Sequence, residues 1–234
     1  MNEKNIYGRH DFGFEFEHEL FYLRCDRSYE RRLKTDAGIA DRVEKIVAGG
    51  KYFRINPVEP VNLPAEISRN LMLEMKKPVN VEPGKSVKVY LKFPVEIAVL
   101  VDGVSVIDVF TLKRPKYALY GALREGVVCK YYQTDVYEKV PEVNGLLEGV
   151  MELEIVNSFE EWVEVRKAVF DGYGMKIYYS SFPAMVAKMK IESRSVAETS
   201  FVNRPMLDGM EKATELYVAR KFMERKKYVM EWGF

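Results

Sequence analysis

The feature that most constrains the fold is a regular alternation of apolar and polar residues. Between residues 86 and 93, Val87, Val89, Leu91 and Phe93 alternate with polar residues. A period of two places the two sets of side chains on opposite faces of a β-strand. The pattern recurs in many short segments separated by turn residues. The sequence therefore predicts a mainly β protein with antiparallel β-sandwich architecture.

One hairpin is specified by its turn. Two apolar runs, 95–101 and 104–110, are separated by Asp102 and Gly103. This dipeptide suits a type I′ turn, in which both central residues have positive φ. We therefore expect the two runs to pair as antiparallel strands.

Two segments show helical rather than strand spacing. After Asn203 and Pro205, apolar residues recur at roughly helical intervals, namely Met206, Met210, Ala213, Tyr217 and Phe222. Asn203 can cap a helix and proline is tolerated in a first turn, so we predict a C-terminal α-helix that ends near Tyr228. A shorter helix is a candidate for residues 39–47, stopped by Gly49 and Gly50.

Prolines mark the connections between segments. Four of them fall within residues 57–78, three inside the run NPVEPVNLP at 56–64. Each proline fixes φ and lacks an N–H group, so this run is expected to be a connector or an edge segment. A second break begins at Pro141. We predict two β modules, residues 1–140 and 141–234; one continuous two-sheet domain is the alternative.

Composition narrows the class of protein. Basic and acidic residues nearly balance, 36 against 35, so the overall charge does not indicate a nucleic-acid or anionic-membrane partner. Two cysteines, Cys25 and Cys129, exclude a disulfide-built scaffold, and we expect both to be small buried apolar residues. No apolar run suits a secretory signal or a membrane span, which predicts a cytoplasmic protein. A single glutamine, Gln133, beside abundant Lys, Glu and Arg indicates a thermophilic source.

Five segments carry a resemblance to a known family. They are residues 56–64 (NPVEPVNLP), 93–97 (FPVEI), 116–121 (KYALYG), 148–155 (EGVMELEI) and 171–179 (DGYGMKIYY). In these segments the chain resembles the archaeal family called domain of unknown function 432, over nearly its whole length, from Tyr7 to Arg220. The family has no assigned activity. The resemblance implies an archaeal source and assigns no catalytic residue.

Catalytic motifs are absent from the sequence. Neither a phosphate-binding glycine loop nor a G-x-S-x-G nucleophile elbow occurs, and His10 and His18 are the only histidines. No metal site and no cofactor are predicted. An enzyme remains the alternative hypothesis, with a site assembled from scattered residues around His10, Asp11 and the 171–179 loop.

Tyrosines suggest a recognition face. The chain contains 15 of them, and a tyrosine hydroxyl favours an edge where it stays hydrated. The candidate recognition residues are Tyr117, Tyr120, Tyr173 and Tyr179. The competing interpretation is that adjacent tyrosines on a strand point alternately to the core and to the surface.

The C-terminal tail is basic and aromatic. Its candidate partner-binding residues are Arg220, Lys221, Phe222, Arg225, Lys226, Lys227, Tyr228, Trp232 and Phe234. We predict a non-enzymatic binding or assembly module whose tail contacts a protein partner or a second copy of the chain, and we predict no small-molecule ligand. The alternative is a membrane surface or nucleic acid bound by the tail; the cations can also complement a helix dipole while the aromatic residues fold back on the domain.

Overall fold

The computed structural model describes residues 6–64, 67–216 and 227–234. Strands account for 57% of the chain, which confirms the prediction of a mainly β protein. In chain order the strands are β1 (Gly8–His10), β2 (Phe14–Glu17), β3 (Phe21–Cys25), β4 (Ser28–Thr35), β5 (Gly38–Ile46), β6 (Phe53–Val58), β7 (Asn70–Val81), β8 (Ser86–Pro94), β9 (Glu96–Val101), β10 (Ser105–Phe110), β11 (Lys116–Tyr120), β12 (Val127–Thr134), β13 (Glu148–Asn157), β14 (Val163–Asp171), β15 (Tyr178–Tyr179), β16 (Pro183–Ile191), β17 (Ala197–Val202), β18 (Glu211–Lys212) and β19 (Tyr228–Met230). Within the described ranges, the helical conformation is limited to one 3-10 turn, Gly172–Gly174.

The strands form four sheets. Sheet I has the order β2-β3-β4-β5, sheet II β1-β6-β9-β10, and sheet III β11-β12-β7-β14. Sheet IV has the order β18-β15-β16-β13-β8, with β17 on β16 and β19 on β17. Strand pairs β7–β12 and β13–β16 are parallel, and the remaining pairs are antiparallel.

The predicted hairpin is confirmed. Strands β9 and β10 pair across Asp102 and Gly103, which have φ of 53° and 73°. The Val104 amide donates a hydrogen bond of 3.2 Å to the Val101 carbonyl oxygen. The start of the run NPVEPVNLP also agrees with the prediction of an edge segment. Strand β1 pairs with β6 only at residues 53–55, so Pro57 has a neighbouring strand, β9, on one side only.

The candidate helix at residues 39–47 is wrong. These residues form β5, which pairs antiparallel with β4 at the outer edge of sheet I. Ile39 and Ile46 are exposed, so they cover no core. Pairing with β4 satisfies backbone groups on one side of β5, and of its spaced apolar residues only the half-buried Val43 packs against the main hydrophobic cluster.

The predicted C-terminal helix is also not supported. Residues 203–216 run through bends and turns and contribute only the two-residue β18, while residues 228–230 form β19. Residues 217–226 of the predicted helix lie outside the described residues. Met206 and Met210 are nevertheless buried, in a small cluster with Tyr178 and Val186. An irregular segment crossing a sheet can bury apolar residues at helical spacing without forming a helix.

A buried ion pair joins sheets I and II. Arg31 of β4 lies 2.6 Å from the Asp108 carboxylate of β10, measured from Nε to Oδ2. The Tyr29 hydroxyl donates a 2.7 Å hydrogen bond to the same oxygen, and Arg31 also contacts Asp41. Both charges of this buried pair, Arg31 and Asp108, therefore have an oppositely charged partner.

Strands from both sides of residue 140 share sheets. Sheet III contains β14 beside β7, and sheet IV contains β13 beside β8. One hydrophobic cluster includes residues from Ile6 to Met230. The division into modules 1–140 and 141–234 stays a prediction. Cys25 and Cys129 are free and buried in this cluster, as expected.

Candidate functional site

A cavity of about 440 Å³ lies where the connection from β10 to β11 meets β12. Its lining residues are Pro60, Pro94, Val95, Thr111, Lys113, Arg114, Pro115, Lys116, Lys130, Tyr131, Tyr132 and Gln133. Four of these side chains are cationic and none is a carboxylate. We call this cavity the basic pocket.

Three parts of the fold build the basic pocket. The connection from β10 to β11 supplies Thr111, Lys113, Arg114 and Pro115 and continues into Lys116 of β11, and β12 supplies a continuous wall from Lys130 to Gln133. Pro60 and Pro94 close the side toward sheets II and IV. Three prolines, Pro60, Pro94 and Pro115, restrict φ in two of these three parts, so the shape of the cavity is held by the backbone as well as by side-chain packing.

Behind the basic pocket lies a buried ion pair. Lys130 is 4% exposed and Glu96 is fully buried. The Lys130 ammonium lies 2.6 Å from Oε1 of Glu96 and donates a second hydrogen bond to the Leu63 carbonyl oxygen. The Glu96 carboxylate also accepts hydrogen bonds from the backbone amides of Asn62 and Leu63. Burial raises the pKa of Glu96, and Lys130 and Asn62 offset part of that rise.

A second carboxyl group, Glu59, lies next to this pair. It is 3% exposed, and its Oε2 atom has no hydrogen-bond partner among the described residues. Burial raises the pKa of Glu59 to about 7, against the lowering effect of backbone amides, and the neighbouring Glu96 raises it further. A buried carboxyl group with this pKa changes charge near neutral pH.

On the opposite side of the basic pocket, Lys113 is neutralised by Glu148. The Lys113 ammonium and the Tyr132 hydroxyl both donate hydrogen bonds to Oε1 of Glu148. Burial alone would raise the pKa of Glu148, but Lys113 and Tyr132 outweigh it and lower the pKa. Burial and the Glu148 charge both raise the pKa of Tyr132, so its hydroxyl stays protonated.

The rim of the basic pocket carries uncompensated charge. Arg114 and Lys116 are exposed, and neither has an ion-pair partner within the described ranges. Beside them, Tyr131 donates a hydrogen bond to Glu74, and this bond with burial raises the pKa of Tyr131 to about 12. The tyrosine is therefore neutral at physiological pH, and the rim keeps a net positive charge.

The four candidate recognition tyrosines have different environments. Tyr120 is 2% exposed and Tyr179 is 3% exposed, whereas Tyr117 is 36% exposed and Tyr173 is half-buried. Tyr117 pairs across the strands with Lys130, and burial together with the Glu96 charge raises its pKa. Of the four, Tyr117 is the one placed beside the basic pocket.

The described part of the tail packs on the domain. Lys227 lies 2.7 Å from Glu198, and Tyr228 begins β19, which pairs with β17. The Tyr120 hydroxyl donates to the Gly233 carbonyl oxygen and accepts from the Trp232 amide. Phe234 packs against the main cluster. The other candidate tail residues, Arg220, Lys221, Phe222, Arg225 and Lys226, lie outside the described residues.

The residues of the alternative enzyme site have separate neighbours. The His10 ring contacts the Ile6 carbonyl oxygen at 2.7 Å from Nε2. Asp171 instead forms an ion pair with Arg69 and accepts a hydrogen bond from the Tyr173 amide. In the part of the chain that the structure describes, no group of three or more His, Cys, Asp or Glu residues could hold a metal ion. No helix there has the length and apolar character required to cross a bilayer.

Comparison with family models gives one match, the family described as "Protein of unknown function (DUF432)", over residues 6–231. The chain belongs to this family. The match confirms the resemblance drawn from the sequence and covers the whole basic pocket, which lies between residues 60 and 133. No curated protein and no solved structure matched the chain.

The residues of the basic pocket were not predicted from the sequence. A local signal exists, because the run LKRPK at 112–116 places Lys113, Arg114 and Lys116 around a single proline, Pro115. A proline in an extended connection disfavours a helix, so these three cations do not share a helix face. They project instead from a constrained loop. Lys130 and Glu96 gave no such signal, because they lie on β12 of sheet III and β9 of sheet II and only the packing of these two sheets brings them together.

Proposed function

We propose that this protein is a non-enzymatic β-sandwich binding module and that it binds a small anionic ligand in the basic pocket. The observation that carries the proposal is the charge of the pocket lining, which has four cations and no carboxylate. This differs from the sequence-based expectation that no small molecule is bound. A concave site with a few convergent polar groups is the usual form of a small-ligand site.

The charge balance favours an anion. Glu148 neutralises Lys113 and Glu96 neutralises Lys130, which leaves Arg114 and Lys116 to attract a ligand. The arginine can form two parallel hydrogen bonds with a carboxylate or phosphate group, and the lysine adds a point charge. The half-buried walls of the cavity reduce solvent screening of these interactions.

The test is anion binding by the full chain and by charge-reversed variants. We expect phosphate and acetate to bind in NMR or calorimetric titrations, and the variant Arg114→Glu/Lys116→Glu to bind at least about tenfold more weakly, a loss of about 1.4 kcal/mol. Binding should also weaken as the ionic strength rises.

The matched control reverses two exposed cations outside the basic pocket, Lys77→Glu/Arg124→Glu. It makes the same change in net charge, so a general electrostatic effect would weaken both variants equally. Equal weakening, or no binding of either anion to the unmodified protein, contradicts the proposal.

We also propose a cytoplasmic protein from a thermophilic archaeon. The family resemblance supports the archaeal source, one glutamine among many Lys, Glu and Arg residues supports the thermophilic one, and two cysteines without a disulfide support a reducing compartment. Contact of the tail with a protein partner, a second copy, a membrane or nucleic acid stays a separate proposal. Pelleting with anionic liposomes tests the membrane option.

A further inference from the structure

A second, more apolar cavity adjoins the basic pocket. It has a volume of about 250 Å³ and is bordered by Leu20, Leu33, Ala40 and Leu112. The three leucines come from separate parts of the chain: before β3, within β4 and after β10. All three are half-buried, so their side chains still expose apolar area. We call this cavity the leucine groove.

The leucine groove and the basic pocket share a wall. Thr111, Lys113, Arg114 and Pro115 line both cavities. Arg114 therefore stands between a cationic cavity on one side of the loop and an apolar cavity on the other. The two environments meet within a few residues, where one ligand can contact both.

We propose that the ligand is a single-chain amphipathic anion, such as a fatty-acid carboxylate, with its charged head in the basic pocket and its hydrocarbon chain in the leucine groove. This inference rests on the proposed anion binding and adds the class of ligand. Arg114 and Lys116 bind the head, and Leu33 and Leu112 contact the chain.

Charge complementarity decides the occupant of the leucine groove. A purely apolar ligand would leave the adjacent cations unused, and a small inorganic anion would leave the leucines exposed to water. An amphipathic anion satisfies both cavities, because removing apolar area from water and pairing Arg114 with an oxyanion are both favourable.

A chain-length series tests the inference. The full chain is titrated with acetate, butanoate, hexanoate, octanoate and decanoate below their micellar concentrations. A fully buried methylene tightens binding by about fourfold, so we expect about two- to fourfold per methylene until the leucine groove is filled. Alkyl phosphates of the same lengths, titrated in parallel, distinguish a carboxylate head from a phosphate head.

Two variants locate the hydrocarbon chain. Leu112→Ser, in the loop, and Leu33→Ser, in β4, should bind acetate normally but lose most of the chain-length dependence. Leu119→Ser is the matched control, since Leu119 is an exposed leucine that lines neither cavity. Thermal unfolding of each variant checks that it is folded, and Leu112→Ser provides the result if Leu33→Ser does not fold.

The outcomes separate the two proposals. Acetate binding that is lost in Arg114→Glu/Lys116→Glu but does not strengthen from butanoate to decanoate overturns this inference and leaves the proposed function intact. Chain-length dependence that survives in both leucine variants also overturns it. No binding of any member of the series overturns both.

Discussion

Among the residues that the structure describes, two ion pairs have both partners buried, and these two pairs differ in their surroundings. Arg31 and Asp108 join sheets I and II, and Tyr29 and Asp41 complete their contacts. Lys130 and Glu96 lie instead beside the basic pocket. Next to this second pair, Glu59 has a buried oxygen without a partner among the described residues. Burial of an ion pair does not by itself indicate function; an adjacent cavity and an incompletely satisfied neighbour distinguish the two.

The largest predicted effect tests what the two pairs have in common. Lys130→Met and Arg31→Met each leave a carboxylate buried without its cation, and we expect each to lower the free energy of unfolding by about 3–5 kcal/mol. Denaturation in urea measures the change. The loss should be smaller for Arg31→Met, because Asp108 is 9% exposed whereas Glu96 is fully buried.

A double variant separates the missing cation from the missing packing. Glu96→Gln/Lys130→Met removes both charges but keeps an oxygen that can accept the Asn62 and Leu63 amides. We expect it to recover most of the stability lost in Lys130→Met. A double variant as unstable as the single one would show that packing, rather than the unpaired charge, governs this site.

The next largest predicted effect concerns Glu59, the buried carboxyl group beside the Lys130–Glu96 pair. Its pKa is about 7 in the folded protein and 4.5 as the ordinary value. The folded state therefore binds more protons between these values, so stability falls as the pH rises from 4.5 to about 7, by up to about 3 kcal/mol.

Glu59→Gln should remove this contribution, because its side chain is uncharged at every pH. Relative to the unmodified protein, the variant should become more stable by about 3 kcal/mol between pH 4.5 and about pH 8, measured by urea denaturation. The raised pKa of Glu96 leaves a residual slope of the same sign. Glu82→Gln, at an exposed position, is the control. Parallel pH profiles for all three proteins would contradict the assignment to Glu59.

The smallest predicted effect compares one tyrosine from each region. Tyr29→Phe removes a buried hydrogen bond to the Asp108 carboxylate, and we expect a loss of about 2 kcal/mol in the free energy of unfolding. Tyr117 lies across from Lys130 but its hydroxyl has no hydrogen bond within the described residues. Tyr117→Phe should therefore change stability by less than about 0.5 kcal/mol. The reverse order would mean that Tyr117, not Tyr29, supports the buried charges.

The sequence predicted local structure where one residue pattern decides it. Alternation predicted β8, and Asp102 with Gly103 predicted the hairpin between β9 and β10. The prediction from residue spacing was wrong at β5, where Ile39, Val43 and Ile46 have helical spacing but the backbone pairs with β4. Periodicity describes where apolar residues lie, and it cannot decide between helix and strand when tertiary pairing supplies the hydrogen bonds.

The candidate site was harder to predict than the fold because its residues come from separate parts of the chain. Glu96 and Lys130 are far apart in the sequence, on β9 and β12, and each looks like an ordinary charged residue on a strand. Only the loop 111–115 carries a local signal. The charge balance of a cavity depends on which carboxylates reach its cations, and this depends on sheet order.

The parallel pairing of β7 with β12 has a consequence for how the protein folds. Asn70 pairs with Cys129, so β12, which forms a local hairpin with β11, joins β7 only after the whole intervening chain, including the β9–β10 hairpin, has been accommodated. Contacts between residues so distant in sequence carry a large loop-closure entropy and form slowly. We expect the hairpins, β11–β12 among them, to assemble first, and the pairing of β12 with β7, which fixes the wall of the basic pocket within sheet III, to come late.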